Sequence, residues 1–210
     1  MLLPALTAIA LVAAPAPRPT SASLRKAFLH NAHTVVEVSG GRRRGAGVIV
    51  GAGGQIVTAV DHVALDHATV HLGGRALPAR VIAANARLGF AVVEAHLPAG
   101  VLLQSPPVRA HATLEKGMWL VGIARPKKDA SQPEPLLGRI LVPPGGTSLF
   151  AVTDLPLAPG SPLFDTRGRL VAIAVAKVGR IGSKALPLSA IEAELSLALP
   201  GGAQVQAKAP

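Results

Sequence analysis

The sequence predicts an all-β protein, a barrel or sandwich with a short helix at each end. Three observations point there. Apolar runs of strand length recur along the chain, separated by Gly, Pro, Asn and Asp turns. Apolar residues at helical spacing occur only near the two ends. Hydrophobic residues make up 50% of the chain but aromatics only 2%, so the core is built from Val, Ile, Leu and Ala.

In order, Leu24 to Ala32 reads as a helix capped by Ser23, with Leu24, Phe28 and Leu29 on one face. Strands begin at His33–Val38, followed by the turn Ser39-Gly40-Gly41 and the basic run Arg42-Arg43-Arg44. Val48–Val50 and Gln55–Val60 flank Gly51-Ala52-Gly53-Gly54 and make a hairpin. These glycines lead into another strand rather than a helix, which excludes a dinucleotide cradle. Ala68–Leu72, Ala79–Ala84 and Phe90–Ala95 follow, broken by Gly73-Gly74-Arg75 and Asn85-Ala86-Arg87. Leu97–Pro107 is a crossing segment, because Pro98, Pro106 and Pro107 discourage regular structure.

Trp119–Ala124 is the next strand, with Trp119 expected in the core, and Arg125–Pro135 is a polar loop. Leu136–Val142, Leu149–Thr153, Leu163–Phe164 and Leu170–Ala176 complete the strands. Asp165-Thr166-Arg167-Gly168 has turn chemistry, so the last two runs form a hairpin. Ser189–Leu199 reads as a helix capped by Ser189, with Ile191, Leu195 and Leu199 on its apolar face and Pro200 as its stop. A length of 210 residues suits two small barrels divided near Leu102–Pro107. The expected division is a leader at 1–22, a first barrel at 23–105, a second barrel with its helix at 106–199, and a loose tail at 200–210.

Leu2–Ala16 is apolar, too short to span a bilayer but of signal-peptide length, with cleavage after Ala16 or Ala22; the expectation is a periplasmic or secreted protein. The absence of cysteine excludes disulfides and thiolate chemistry. A formal charge of +10 favours anionic surfaces such as an envelope polymer or a membrane. Scarce aromatics argue against single-strand nucleic-acid binding, so nucleic acid is not a favoured partner.

Five segments resemble the trypsin-like serine proteases, specifically the bacterial high-temperature-requirement type. R-R-R-G-A-G-V-I-V-G-A-G-G-Q-I-V-T-A-V-D-H-V is similar to the stretch that carries the family's catalytic histidine. A-L-P-A-R-V-I-A-A-N-A-R-L-G-F-A-V-V resembles the aspartate stretch, E-K-G-M-W-L-V-G-I-A-R-P a following strand, and A-L-P-L-S-A-I the closing segment. T-D-L-P-L-A-P-G-S-P-L-F resembles the nucleophile loop and keeps Thr153, Asp154, Pro159, Gly160, Pro162, Leu163 and Phe164. The resemblance implies two six-stranded β-barrels with short terminal helices and a substrate cleft between the barrels.

Trypsin-like chemistry needs a hydroxyl nucleophile, an imidazole base, a carboxylate that holds the imidazole, and backbone N–H groups aimed at the oxyanion. On the resemblance the candidate base is His62, which lies one residue later than the family's spacing from Thr58 places it. The aspartate position is Gly89. Ser161 stands alone where the family has N-S-G-G, in a loop three residues short; aligned from Pro162, Pro159 takes the serine's place. As plain structure, His62 is a strand-end histidine and Ser161 a turn serine. With all three members altered, the expected function is a catalytically inactive pseudoprotease that binds peptide or protein in the cleft, with no cofactor. One alternative is an active endopeptidase using a rearranged His62/Ser161 dyad. Another is a metal or polyanion binder, using Asp61, His62, Asp66, His67 and His71 as ligands or Arg42-Arg43-Arg44 with Lys127-Lys128 as a basic patch.

Overall fold

In a computed structural model of the chain, residues 17–124 and 135–198 are described, with side chains to 193. The greater part of the leader, Lys127 and Lys128, Pro200 and the tail lie outside the described residues, as do the side chains of Leu195 and Leu199.

Two closed antiparallel barrels of six strands each make up the fold. The first contains β1 (Val35–Ser39), β2 (Gly45–Ile49), β3 (Gln55–Ala59), β4 (His67–Leu72), β5 (Arg75–Asn85) and β6 (Phe90–Ala95), closing in the order β1-β2-β3-β6-β5-β4. The second contains β7 (Trp119–Ile123), β8 (Pro135–Val142), β9 (Ala151–Thr153), β10 (Pro162–Asp165), β11 (Leu170–Val178) and β12 (Gly182–Pro187), in the order β10-β11-β12-β9-β8-β7. Closure leaves neither sheet with a full-length exposed edge.

Side-chain alternation sends successive residues to two different apolar regions. Val36, Val38, Ile49, Ile56, Val70 and Val93 fill the first barrel, and Leu120, Ile140, Leu163, Ala172, Ala174 and Ala185 fill the second. Residues of the opposite phase, including Val48, Val57, Phe90, Val92, Val121, Phe164 and Leu186, meet in the seam between the barrels. β2 and β3 of the first barrel lie along β10 and β11 of the second. Strands buried on both faces read as continuous apolar runs, which is how the sequence presents them.

The hairpin at Leu163–Val175 forms as its turn residues require. Gly168 has φ +78°, and the buried Asp165 carboxylate accepts from the backbone N–H groups of Arg167 and Arg169 at 2.9 and 3.0 Å. The Arg169 guanidinium adds charge-assisted contacts at 2.7 Å.

Helix α1 (Ser21–Asn31) starts earlier than its periodicity suggests, because the cap is Thr20, whose Oγ1 accepts from the Ser23 N–H at 3.2 Å. It packs on β7 and β8, and the Asn31 side chain donates to Gly168 O at 2.8 Å. Helix α2 (Leu188–Ala198) starts at Leu188, one residue before the expected Ser189 cap. Trp119 is a correction: it is only partly buried at the start of β7, with the Arg139 and Arg18 guanidinium groups 5.1 and 6.0 Å from its ring centre. β12 has no alternating pattern of its own, and only the resemblance pointed to its last residues, Ala185 to Pro187.

Candidate active site

The site lies in the seam, on a short 3₁₀ turn, Val60–His62, that follows β3. This turn takes up the extra residue between Thr58 and His62. Two backbone segments hold it. The Gly41 and Arg43 N–H groups donate to the carbonyls of His62 and Asp61, both at 3.1 Å, and the Val60 N–H donates to Gly89 O at 3.1 Å. A side chain at position 41 would collide with Val63 O at 2.4 Å, so Gly41 permits the clasp.

His62 is only 3% exposed. Its ring is held between two glycines, one from each barrel. A Cβ at Gly45 would lie 1.9 Å from His62 Cε1 and 2.1 Å from Nε2, and one at Gly160 would lie 3.0 Å from Cε1. Nδ1 is 2.9 Å from Thr58 Oγ1, which is itself 2.6 Å from the Ala46 carbonyl. Threonine has one hydroxyl proton, and the carbonyl can only accept, so that proton goes to Ala46. The Nδ1 contact therefore requires Nδ1–H to donate to Oγ1, and Nε2 is the basic nitrogen of the neutral ring. Thr58 is the group that fixes the tautomer. The sequence named it only as a spacing landmark; the signal was its place one turn before the histidine at a buried strand end.

Gly89, which the sequence pattern aligns with the family's aspartate, has φ +79° and lies against β11, where a Cβ built on it would be 3.3 Å from Val175 Cβ. A neutral hydroxyl on Nδ1 sets the tautomer but cannot offset the charge that develops when the ring takes up a proton.

Ser161 is fully buried, and its Oγ makes no hydrogen bond with any described residue. The loop around it is folded onto β11 and β2. The Gly160 N–H donates to Ala174 O at 2.7 Å, the Ala174 N–H to Ser161 O at 2.8 Å, and the Ser161 N–H to Ala158 O at 3.2 Å. A Cβ at Gly160 would be 2.0 Å from Ala46 O. Gly160, with φ +82° and no side chain, is the loop residue that meets the imidazole. The structure brings His62 and Ser161 to the same seam without a hydrogen bond between them. The backbone N–H groups of Gly160 and Ser161 are committed to carbonyls rather than set out as an oxyanion hole.

The other candidates diverge. His71 Nε2 lies 3.0 Å from Ser39 Oγ, and His67 pairs with Asp66 at 2.7 Å on the surface, which holds the Asp66 carboxyl below its usual range. His62 is buried away from both, and among the described residues no three His, Asp or Glu side chains converge as metal ligands. Arg44 pairs with Glu37 at 3.1 Å.

A comparison with curated protein sequences gives no match. The crystal structure of the serine endoprotease from Yersinia pestis superposes with a TM-score of 0.71, covering 87% of this chain and 68% of that one at 23% identity, and shares the fold. The trypsin-like peptidase domain family matches residues 45–173, more than half of the sequence and the whole span from Gly45 beside the imidazole to the strand behind Ser161. With both barrels, the buried histidine and the loop that carries Ser161 falling within or beside that span, the chain belongs to the trypsin-like peptidase domain family.

Proposed function

We propose that this chain is an exported, catalytically inactive member of its family that binds peptide or protein in the cleft between the barrels. The observation that carries the reading is the closed loop Pro159–Pro162: its serine hydroxyl is sealed and unbonded, and its N–H groups are spent on backbone carbonyls. Gly89 and the Thr58 contact to Nδ1 support it, since catalysis without the carboxylate is typically slower by about 10⁴. The apolar leader supports export to the periplasm or the outside, and the high-temperature-requirement resemblance agrees with that location.

Binding survives the loss of chemistry because it uses backbone rather than a nucleophile. β11 pairs with β10 only as far as Ile173, and its Ala174 then bonds with Gly160 and Ser161 of the loop, so Val175–Val178 has β12 on one side and no described strand on the other. An extended peptide adds there as an extra strand. A second reading, an active His62/Ser161 dyad, draws on the Nδ1–H tautomer, which makes Nε2 basic; it requires the loop to lift off β2 and β11.

The test is the anisotropy of fluorescein-labelled unfolded casein titrated with the protein, followed by electrophoresis of the same mixture after a day. Saturable binding with intact casein is the expected result. Casein cleavage that disappears in Ser161→Ala, or the absence of any binding, overturns the proposal.

A further inference from the structure

The N-terminal helix presents a second surface, remote from the cleft in its chemistry. Its inward residues Leu24, Ala27, Phe28 and Asn31 pack on the second barrel, so Ala22, Arg25, Lys26, Leu29 and His30, at i, i+3, i+4, i+7 and i+8, share the outward face and line a shallow groove. Ala22, Arg25, Lys26, Leu29 and His30 are exposed, Leu29 to 57%. The helix has no acidic residue. Around it stand further exposed cations: Arg18 and Arg139 over Trp119, and Arg167 on the turn whose Gly168 carbonyl binds Asn31.

Cations at Arg25, Lys26 and His30 around one exposed leucine, Leu29, with no acid on the element, suit the surface of an anionic lipid bilayer. A soluble polyanion would reward the cations alone; the exposed Leu29 gains free energy only where acyl chains are present.

We infer that the outward face of α1 docks on a membrane bearing anionic phospholipid, through Arg25 and Lys26 on the headgroups and Leu29 in the acyl boundary.

Co-sedimentation of the full chain with vesicles tests this, comparing phosphatidylcholine alone with phosphatidylcholine carrying about a third phosphatidylglycerol. The anionic vesicles are expected to retain more protein, and about 1 M salt, where the Debye length is about 3 Å, to remove the difference. Arg25→Gln with Lys26→Gln should weaken anionic-vesicle binding roughly 30-fold, from about 1 kcal/mol per cation near such a surface. Leu29→Asp should weaken vesicle binding while leaving retention on heparin largely unchanged. All three side chains are exposed, so the fold is retained, as circular dichroism will show. Equal binding to the two vesicle types, or wild-type binding by the double variant, overturns the inference. Vesicle binding untouched by Leu29→Asp also overturns it and reassigns the patch to a soluble polyanion.

Discussion

Gly45→Ala isolates the contact on which the site is built. Gly45 lies on β2 without a positive φ, so an alanine there adds no backbone strain. Its methyl, however, would lie 1.9 Å from His62 Cε1 and 2.1 Å from Nε2, well inside van der Waals contact. The imidazole must move, and it is confined by Gly160 on its other side. Overpacking of this kind costs about 1–3 kcal/mol. Displacing the ring also breaks the buried Nδ1–H contact to Thr58, leaving a polar group unpaired at about 1–3 kcal/mol. The total of roughly 2–6 kcal/mol corresponds to a fall in Tm of about 4–24 °C for a domain of this size. Urea and thermal unfolding of Gly45→Ala, His62→Ala and the double variant measure it. If the ring is the obstacle, the double variant is no less stable than His62→Ala, and the coupling equals the whole Gly45→Ala loss, about 2–6 kcal/mol. Additive losses, or a Gly45→Ala protein within about 0.5 kcal/mol of wild type, would refute the placement of His62 between the glycines.

Thr58→Val keeps the shape but removes the acceptor for Nδ1–H and the donor to Ala46 O; a loss of about 1–3 kcal/mol is expected, with a changed His62 tautomer in ¹⁵N NMR. Gly89→Asp puts a carboxylate back in sequence but not in function: with φ +79° and Val175 Cβ 3.3 Å from the new Cβ, it should cost about 1–3 kcal/mol and give no proteolysis of casein. Ser161→Ala removes a buried hydroxyl that has no partner, so unfolding should show unchanged or increased stability, by up to about 2 kcal/mol, where a buried serine with its bonds made would lose stability.

Strand positions were legible because most barrel strands here are buried on two sides and punctuated by glycine turns; β3, β4, β6 and β7 fall within a residue or two of their apolar runs. β12 was not, because Gly182, Ser183, Lys184 and Pro187 have little strand preference and the neighbouring β9 and β11 decide its conformation. β5 starts at Arg75, four residues ahead of its apolar run, since Pro78 lies on the β4 side just where the β6 pairing begins at Ala79. Trp119 was misjudged because nothing in its own strand indicates that Arg18 and Arg139 will cover it.

In the site, the histidine could be found from a motif, but its surroundings could not. Gly45 and Gly160 are far apart in sequence and act by what they lack, which only the packing of one barrel against the other reveals. Thr58 meets Nδ1 with a neutral hydroxyl, a contact that no charged-residue pattern in the sequence marks.

Labelling with a fluorophosphonate probe, which reacts with activated serines, tests the proposed inactivity most directly. The full chain is incubated beside Ser161→Ala, His62→Ala and active trypsin. A serine sealed at 0% exposure, with its neighbouring N–H groups spent, should leave the folded protein unlabelled while trypsin labels fully. Labelling of the wild type that disappears in both variants would contradict this and make the chain a working dyad protease.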